Sequence, residues 1–190
     1  MALRLAKAFN TISYSHPDSP ALSIAANLLD NISLHRLLRE QGGAYGGGAS
    51  FNNLSGNFLF YSYRDPNIAS TLLAFEEAVD KVLKGEFDDI NLEEAKLEMI
   101  QGLDAPISPG SRADVAYCWL KENKSFELMQ KYRKALLSVN KKDIIEALKT
   151  HVVPNMKKST SIVFAGKELI EKENILLEAS NFSKFPIIKI

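Results

Sequence analysis

Arg39 and Tyr45 stand on either side of Gly42 and Gly43, in the stretch Leu37-Leu38-Arg39-Glu40-Gln41-Gly42-Gly43-Ala44-Tyr45-Gly46-Gly47-Gly48. Five of the chain's ten glycines fall within this stretch. A guanidinium that is always charged and a phenol, held beside open backbone, suit the gripping of a peptide carbonyl or the stabilising of an oxyanion. The same residues also fit pure architecture. Glycines after a helix commonly form its C-cap, and a Gly-rich strand commonly marks a close packing contact. Residue types and spacing leave both readings standing.

Other chemistry is thinly represented. The three histidines, His16, His35 and His151, lie in no His-x-x-Glu-His motif or its inverse, so no zinc site is recognisable from spacing. Each is read as a packed or solvated side chain. Cys118 sits beside Trp119 with no histidine close in sequence, and a buried, inert thiol is expected there. The glycine cluster lacks the Lys-Ser/Thr of a phosphate loop and follows a helix instead of opening one. Asp104, Asp114 and the Glu93-Glu94 pair read as helix-edge charges, and Tyr61 and Tyr63 as core and rim.

The elements that must position Arg39 and Tyr45 follow from periodicity. Leu22, Ala25, Leu29, Ile32 and Leu37 or Leu38 recur at three- and four-residue spacing, predicting an amphipathic helix over 21–41, opened by Asp18 or Ser19 with Pro20 in its first turn. A sharp Gly42-Gly43 turn leads into a strand over 44–53, with Tyr45, Gly47, Ala49 and Phe51 on one face. A strong strand over 57–64 completes a hairpin, with Phe58 and Phe60 opposite Leu59, Tyr61 and Tyr63. Upstream, 9–15 reads as a first strand at a sheet edge.

Downstream, Asp65-Pro66 opens a second helix that Gly85 stops, and Asn91-x-x-Glu94 resembles a capping box for a third helix ending near Gly102. Helices over 112–122, 126–137 and 141–151 follow, closed by Pro154. A strand spans 159–165, then a short helix and a polar tail. The apolar end over 185–190 reads as an added edge strand or a docking segment. This order predicts an α+β fold, a mainly antiparallel sheet with helices packed on one face.

Composition bounds the class. With 190 residues, 46% hydrophobic and 24% charged, the chain reads as one ordinary globular domain. Lys+Arg and Asp+Glu both number 23, so nothing argues for a nucleic-acid partner. No apolar run reaches ~18 residues, so no membrane-spanning helix is expected. The start, Met1 to Phe9, has a faint look of a targeting helix without a signal peptide's apolar region, and is read as part of the fold. A single cysteine fits a reducing compartment.

The segment over 34–46, followed by Ser55-Gly56 and Ser62-Tyr63-Arg64-Asp65-Pro66-Asn67, resembles the pitrilysin/insulinase family of zinc peptidases, in particular its presequence-protease and falcilysin branch and the last quarter of it. Tyr14-x-His16-Pro17-Asp18-x-Pro20-Ala21-Leu22 fits the same register. The resemblance implies a mitochondrial-processing-peptidase-like domain with a core over about 9–166 and a C-terminal helix and tail over 167–190. It further implies a clamshell enzyme that closes around unfolded peptide, with zinc bound by an N-terminal domain and none in this chain. Arg39 and Tyr45 then contact substrate beside the scissile bond, with Gly42, Gly43, Ala44 and Gly46 along the peptide. The expected partners are unfolded peptide and the zinc-bearing domains of the same polypeptide. The expected compartment is bacterial cytoplasm, mitochondrial matrix or plastid. Two alternatives stand beside this: a non-catalytic structural relative, and a free-standing module that binds extended peptide at a sheet edge.

Overall fold

In the computed structural model, which describes residues 3–188, Leu5, Lys7 and Phe9 alternate inward along β1 (Arg4–Asn10). β2 (Gly46–Asn52), β3 (Asn57–Tyr63) and β4 (Thr160–Phe164) complete an antiparallel sheet in the order β2-β3-β1-β4. The first strand is therefore internal and earlier than its expected place over 9–15. Lys7 breaks the apolar alternation in sequence, yet it is buried, with Glu76 Oε1 3.6 Å away and the Phe182 ring 5.7 Å below its ammonium. Ile12 and Tyr14 lie in the loop that follows. The hairpin runs in register from Gly46↔Tyr63 to Asn52↔Asn57.

α1 (Ser19–Leu29) continues without a break into a wider, π-type helix over Asp30–Gln41. Pro20 occupies its first turn as expected, but the Asp18 carboxylate does not cap it. α2 (Ala69–Leu83) also starts differently from expectation. Asp65 accepts from the Asn67 amide (2.9 Å) and the Thr71 hydroxyl (2.7 Å) ahead of the helix. The first amides, Ile68 and Ala69, donate to buried Glu173 at 2.8 and 2.9 Å. That carboxylate arrives from the last helix and complements the positive helix end. Gly85, at φ +73°, ends α2.

α3 (Asp89–Leu103) is capped reciprocally by Asp88 and Asn91, three residues before the expected Asn91–Glu94 box. α4 (Arg112–Lys121) follows a short 3₁₀ turn and buries no residue, so Cys118 is exposed, against the expected buried thiol. α5 (Phe126–Ser138) and α6 (Lys141–Ala147) are capped by Ser125 and Asn140. Helical structure then passes through Pro154 as far as Met156, because a new segment, α7 (Val153–Met156), begins there and its first turn needs no proline N–H. α8 (Lys167–Ala179) is a full helix. The tail after it adds no strand over its described residues. Phe185 instead exchanges two hydrogen bonds with the Asn174 side chain, and 189–190 lie outside the described residues.

Helices α1 and α2 cover one face of the sheet. Phe58 and Phe60 are fully buried there, with ring centroids 5.3 Å apart, and Phe75 of α2 stacks 5.0 Å from Phe60. Leu59, Tyr61 and Tyr63 face the other way and stay partly open. The fold is α+β with helices layered on one sheet face, as the element order predicts. No helix among the described residues is long and apolar enough to cross a membrane.

Candidate functional site

The π-type helix and the turn behind it set the positions of Arg39 and Tyr45. Three backbone bonds close the turn: Gly42 N–H to Leu37 C=O (3.0 Å), Gly43 N–H to Arg39 C=O (3.2 Å) and Ala44 N–H to Leu38 C=O (2.9 Å). Gly43 adopts φ +76°, the left-handed conformation of a helix C-terminus that a Cβ disfavours. The Asn67 side-chain Nδ2 donates to the Gly42 carbonyl at 2.7 Å and ties the turn to the start of α2. Gly43 is exposed, whereas Ala44 and Gly46 are buried.

Beyond the turn, glycine makes room for the chain's own groups. A Cβ on Gly46 would meet the Tyr63 ring at 2.5 Å, and one on Gly48 would meet the Asp30 carboxylate at 2.5 Å. The helix, Tyr63 and β2 thus close together at a sheet edge, since among the described residues β2 pairs with β3 alone. Tyr45 lies just outside the strand and is 59% exposed. Because β2 begins at Gly46, Tyr45 falls outside the strand face expected to carry it with Gly47, Ala49 and Phe51. Its ring tilts against Tyr63 (centroids 5.6 Å apart), and the Arg64 guanidinium carbon lies 5.1 Å from its centroid. Arg64 itself has φ +48°, and its carbonyl accepts the Tyr45 amide at 3.3 Å.

Arg39 is exposed and donates through Nη1 to His35 Nε2 at 3.0 Å. Because a guanidinium only donates, His35 accepts at Nε2 and carries its proton on Nδ1, which faces Glu40 Oε1 at 3.7 Å. A groove of about 450 Å³ runs between Asp30, His35 and Arg39 on the helix and Tyr45, Tyr61 and Tyr63 on the sheet side. A shallower groove of about 590 Å³ continues past Arg39 and Tyr45 toward Glu40 and Arg64.

Asp30, His35 and Arg39 share one groove because of the π-type winding. Nine residues make two and a half α-helical turns, which would set Asp30 and Arg39 on opposite faces. With the wider turn of i→i+5 bonding, the same nine residues make about two turns. Burial pushes the Asp30 carboxyl up to about 6, with Glu98 adding to the rise and His35 opposing it only in its protonated form. Burial likewise raises the Tyr61 phenol, helped by Asp30 and Tyr63. The groove therefore offers the Arg39 cation, two exposed phenols at Tyr45 and Tyr63, and the Asp30 carboxyl raised to about 6. Asp30 escapes a reading by α-helical phase, its one trace in the sequence being its spacing from Arg39, and Arg64 joins the site from the end of β3 only through tertiary contact with Tyr45.

The other two histidines meet at the opposite end of the sheet. His151 Nε2 lies 2.9 Å from Asp18 Oδ2, and the His16 ring stands edge-on to His151 at 5.0 Å. Among the described residues, His16, Asp18 and His151 form the one group of three potential metal-ligating side chains. Among the described residues no such set surrounds Arg39 and Tyr45, so the residues lining this groove do not fit a catalytic zinc.

The layering defines an α+β domain with helices on one face of an antiparallel sheet and two exposed donors at its edge. A chain from Bordetella pertussis assigned as a zinc protease has this fold, with a TM-score of 0.71 over 86% of this chain and 94% of that one at 16% identity. The family follows from sequence: residues 7–166 match the PreP C-terminal domain, and this chain belongs to that family. A relative from Yarrowia lipolytica named mitochondrial presequence protease is 38% identical over 162 residues, covering 85% of this chain and 16% of the relative. One from Xenopus tropicalis with the same name is 41% identical over 137 residues, covering 72% of this chain and 13% of the relative. The chain thus spans less than one-fifth of the length of these curated relatives.

Proposed function

We propose that this chain is the C-terminal substrate-binding and catalysis-assisting domain of a zinc metallo-oligopeptidase that degrades unfolded peptides, presequences among them. The observation that carries the reading is the presentation of Arg39 and Tyr45 toward one groove, both exposed, from opposite ends of a turn locked by three backbone bonds. Tyr45 donates its hydroxyl to the peptide carbonyl next to the scissile bond and to the oxyanion as charge develops. Arg39 anchors substrate backbone after exchanging His35 for the peptide. Edge strand β2 lies beside both and, among the described residues, has one backbone side without a partner strand. Donors fixed before the reaction act where charge appears without reorganising, which is the efficient form of electrostatic stabilisation.

The zinc and general base belong, in this reading, to an N-terminal domain of the parent polypeptide, and this chain by itself cleaves nothing. The names of the relatives support presequence peptides as substrates and the mitochondrial matrix among the expected compartments. The test is reconstitution with the complementary zinc-bearing portion, following cleavage of an unstructured peptide with and without chelator. Cleavage that requires this chain and falls about 10²–10³-fold in Tyr45→Phe, with folding and association intact, supports the assignment. Cleavage indifferent to Tyr45→Phe and Arg39→Ala returns the groove to architecture and favours the non-catalytic alternative.

A further inference from the structure

The loop after β1 and the end of the α6–α7 helical run come together around Asp18, bringing groups far apart in sequence within ligand distance. His16 Nδ1 lies 3.8 Å and His151 Nε2 2.9 Å from Asp18 Oδ2. One ligand atom from each of the three side chains falls within 4.8 Å of the others. Tetrahedral zinc, with bonds near 2.0–2.1 Å, sets its ligand atoms ~3.3 Å apart, and the two Asp18 separations bracket that value.

We propose that His16, Asp18 and His151 form a binding site for a divalent transition metal of the zinc class. Two imidazoles and one carboxylate suit Zn²⁺ and its neighbours and are a poor set for Mg²⁺ or Ca²⁺, which take oxygen ligands in larger number. The His151 side chain is 14% exposed, against 37% for His16 and 48% for Asp18. One ligand is therefore anchored by packing, and the open side admits the ion and a completing water. Binding at His16 Nδ1 displaces the Asp18 amide that donates to it at 3.1 Å, so the loop shifts slightly as the ion enters.

The site lies beyond the Asn10↔Asn57 end of the sheet, whereas Arg39 and Tyr45 lie at the Tyr63↔Gly46 end. Its role is a staple that joins the entry to α1 with the helical run leading to β4. No local motif reveals it, because the His151 and Asp18 side chains that touch are separated by 133 positions.

The test is titration of the metal-free chain with Zn²⁺ and Co²⁺, using Cys118→Ser throughout so that the exposed thiol takes no part. The expected result is one ion per chain, Co²⁺ absorption of tetrahedral character and a higher Tm with zinc. His16→Gln and His151→Gln should each weaken zinc at least tenfold while keeping the wild-type circular dichroism, and Asp18→Asn should do so without removing a histidine. His35→Gln should bind zinc as the parent does. Absence of binding at equimolar zinc overturns the proposal, as does an affinity that neither the His16 nor the His151 substitution changes. Should His151→Gln fail to fold, the His16 and Asp18 variants decide between these outcomes.

Discussion

Phe58 and Phe60 on one face of β3 are fully buried against α1 and α2, whereas Tyr61 and Tyr63 on the other face line an open groove beside Tyr45. Strand alternation alone separates these roles. On the core face, rings contact other rings at 5.0–5.5 Å, so each side chain contributes chiefly through burial. On the groove face, the contacts hold polar groups at fixed positions while leaving them accessible. The fold's stability and the candidate site are thus carried by adjacent residues with little shared contact, and the two should respond separately to substitution.

Phe60→Ala should have the largest effect on folding, a loss of about 3–5 kcal/mol in denaturant unfolding, because a fully buried ring is removed and a cavity is left in its place. Tyr45→Phe should do the reverse. Reconstituted cleavage falls about 10²–10³-fold, while stability stays within ~0.5 kcal/mol, as for other exposed sites. A large stability loss in Tyr45→Phe would break the comparison.

Gly48→Ala tests the close approach of helix to β2. Its Cβ meets the Asp30 carboxylate at 2.5 Å, and a loss of about 1–3 kcal/mol is expected from overpacking. Combining it with Asp30→Ala should recover most of that loss, and a double-mutant cycle measures how much.

Asp30→Asn is the smallest change and has a pH signature. With its folded pKa raised from 3.8 to about 6, the Asp30 carboxyl favours the folded state below pH ~4, and this contribution is lost as pH rises through about 6. Two units correspond to ~3 kcal/mol, which partial exposure reduces to about 1 kcal/mol. Asp30→Asn should therefore be more stable than the parent by about 1 kcal/mol above pH ~6, with the two chains converging below pH ~4. Equal stability of the two across that range would show that the groove leaves this carboxyl solvated.

Much of the architecture is legible from local pattern. The 3.6-residue apolar repeat over 21–41, the alternation over 57–63 and the stops at Gly43 and Gly85 are local signals, and each element forms where it is read, although the helix winds as π-type from Asp30 to Gln41. The misplacements share a cause. β1 is displaced in sequence because Lys7 reads as polar, and only Glu76 and Phe182, brought by α2 and the tail, make its burial tolerable. α2 starts at Ala69 because Glu173 caps it from α8, a partner that no local window includes. Cys118 is exposed because nothing among the described residues covers α4.

The sequence by itself determined the order of the elements, the faces of α1 and β3, and the adjacency of Arg39 and Tyr45 about a glycine turn. These depend on periodicity, on glycine's φ range and on neighbours a few residues away. Tertiary structure alone decided that β1 is central, that π-type winding turns Asp30 toward Arg39, and that His16 and His151 converge on Asp18. Those outcomes depend on helix phase and on long-range approach, which are set by how the layers pack.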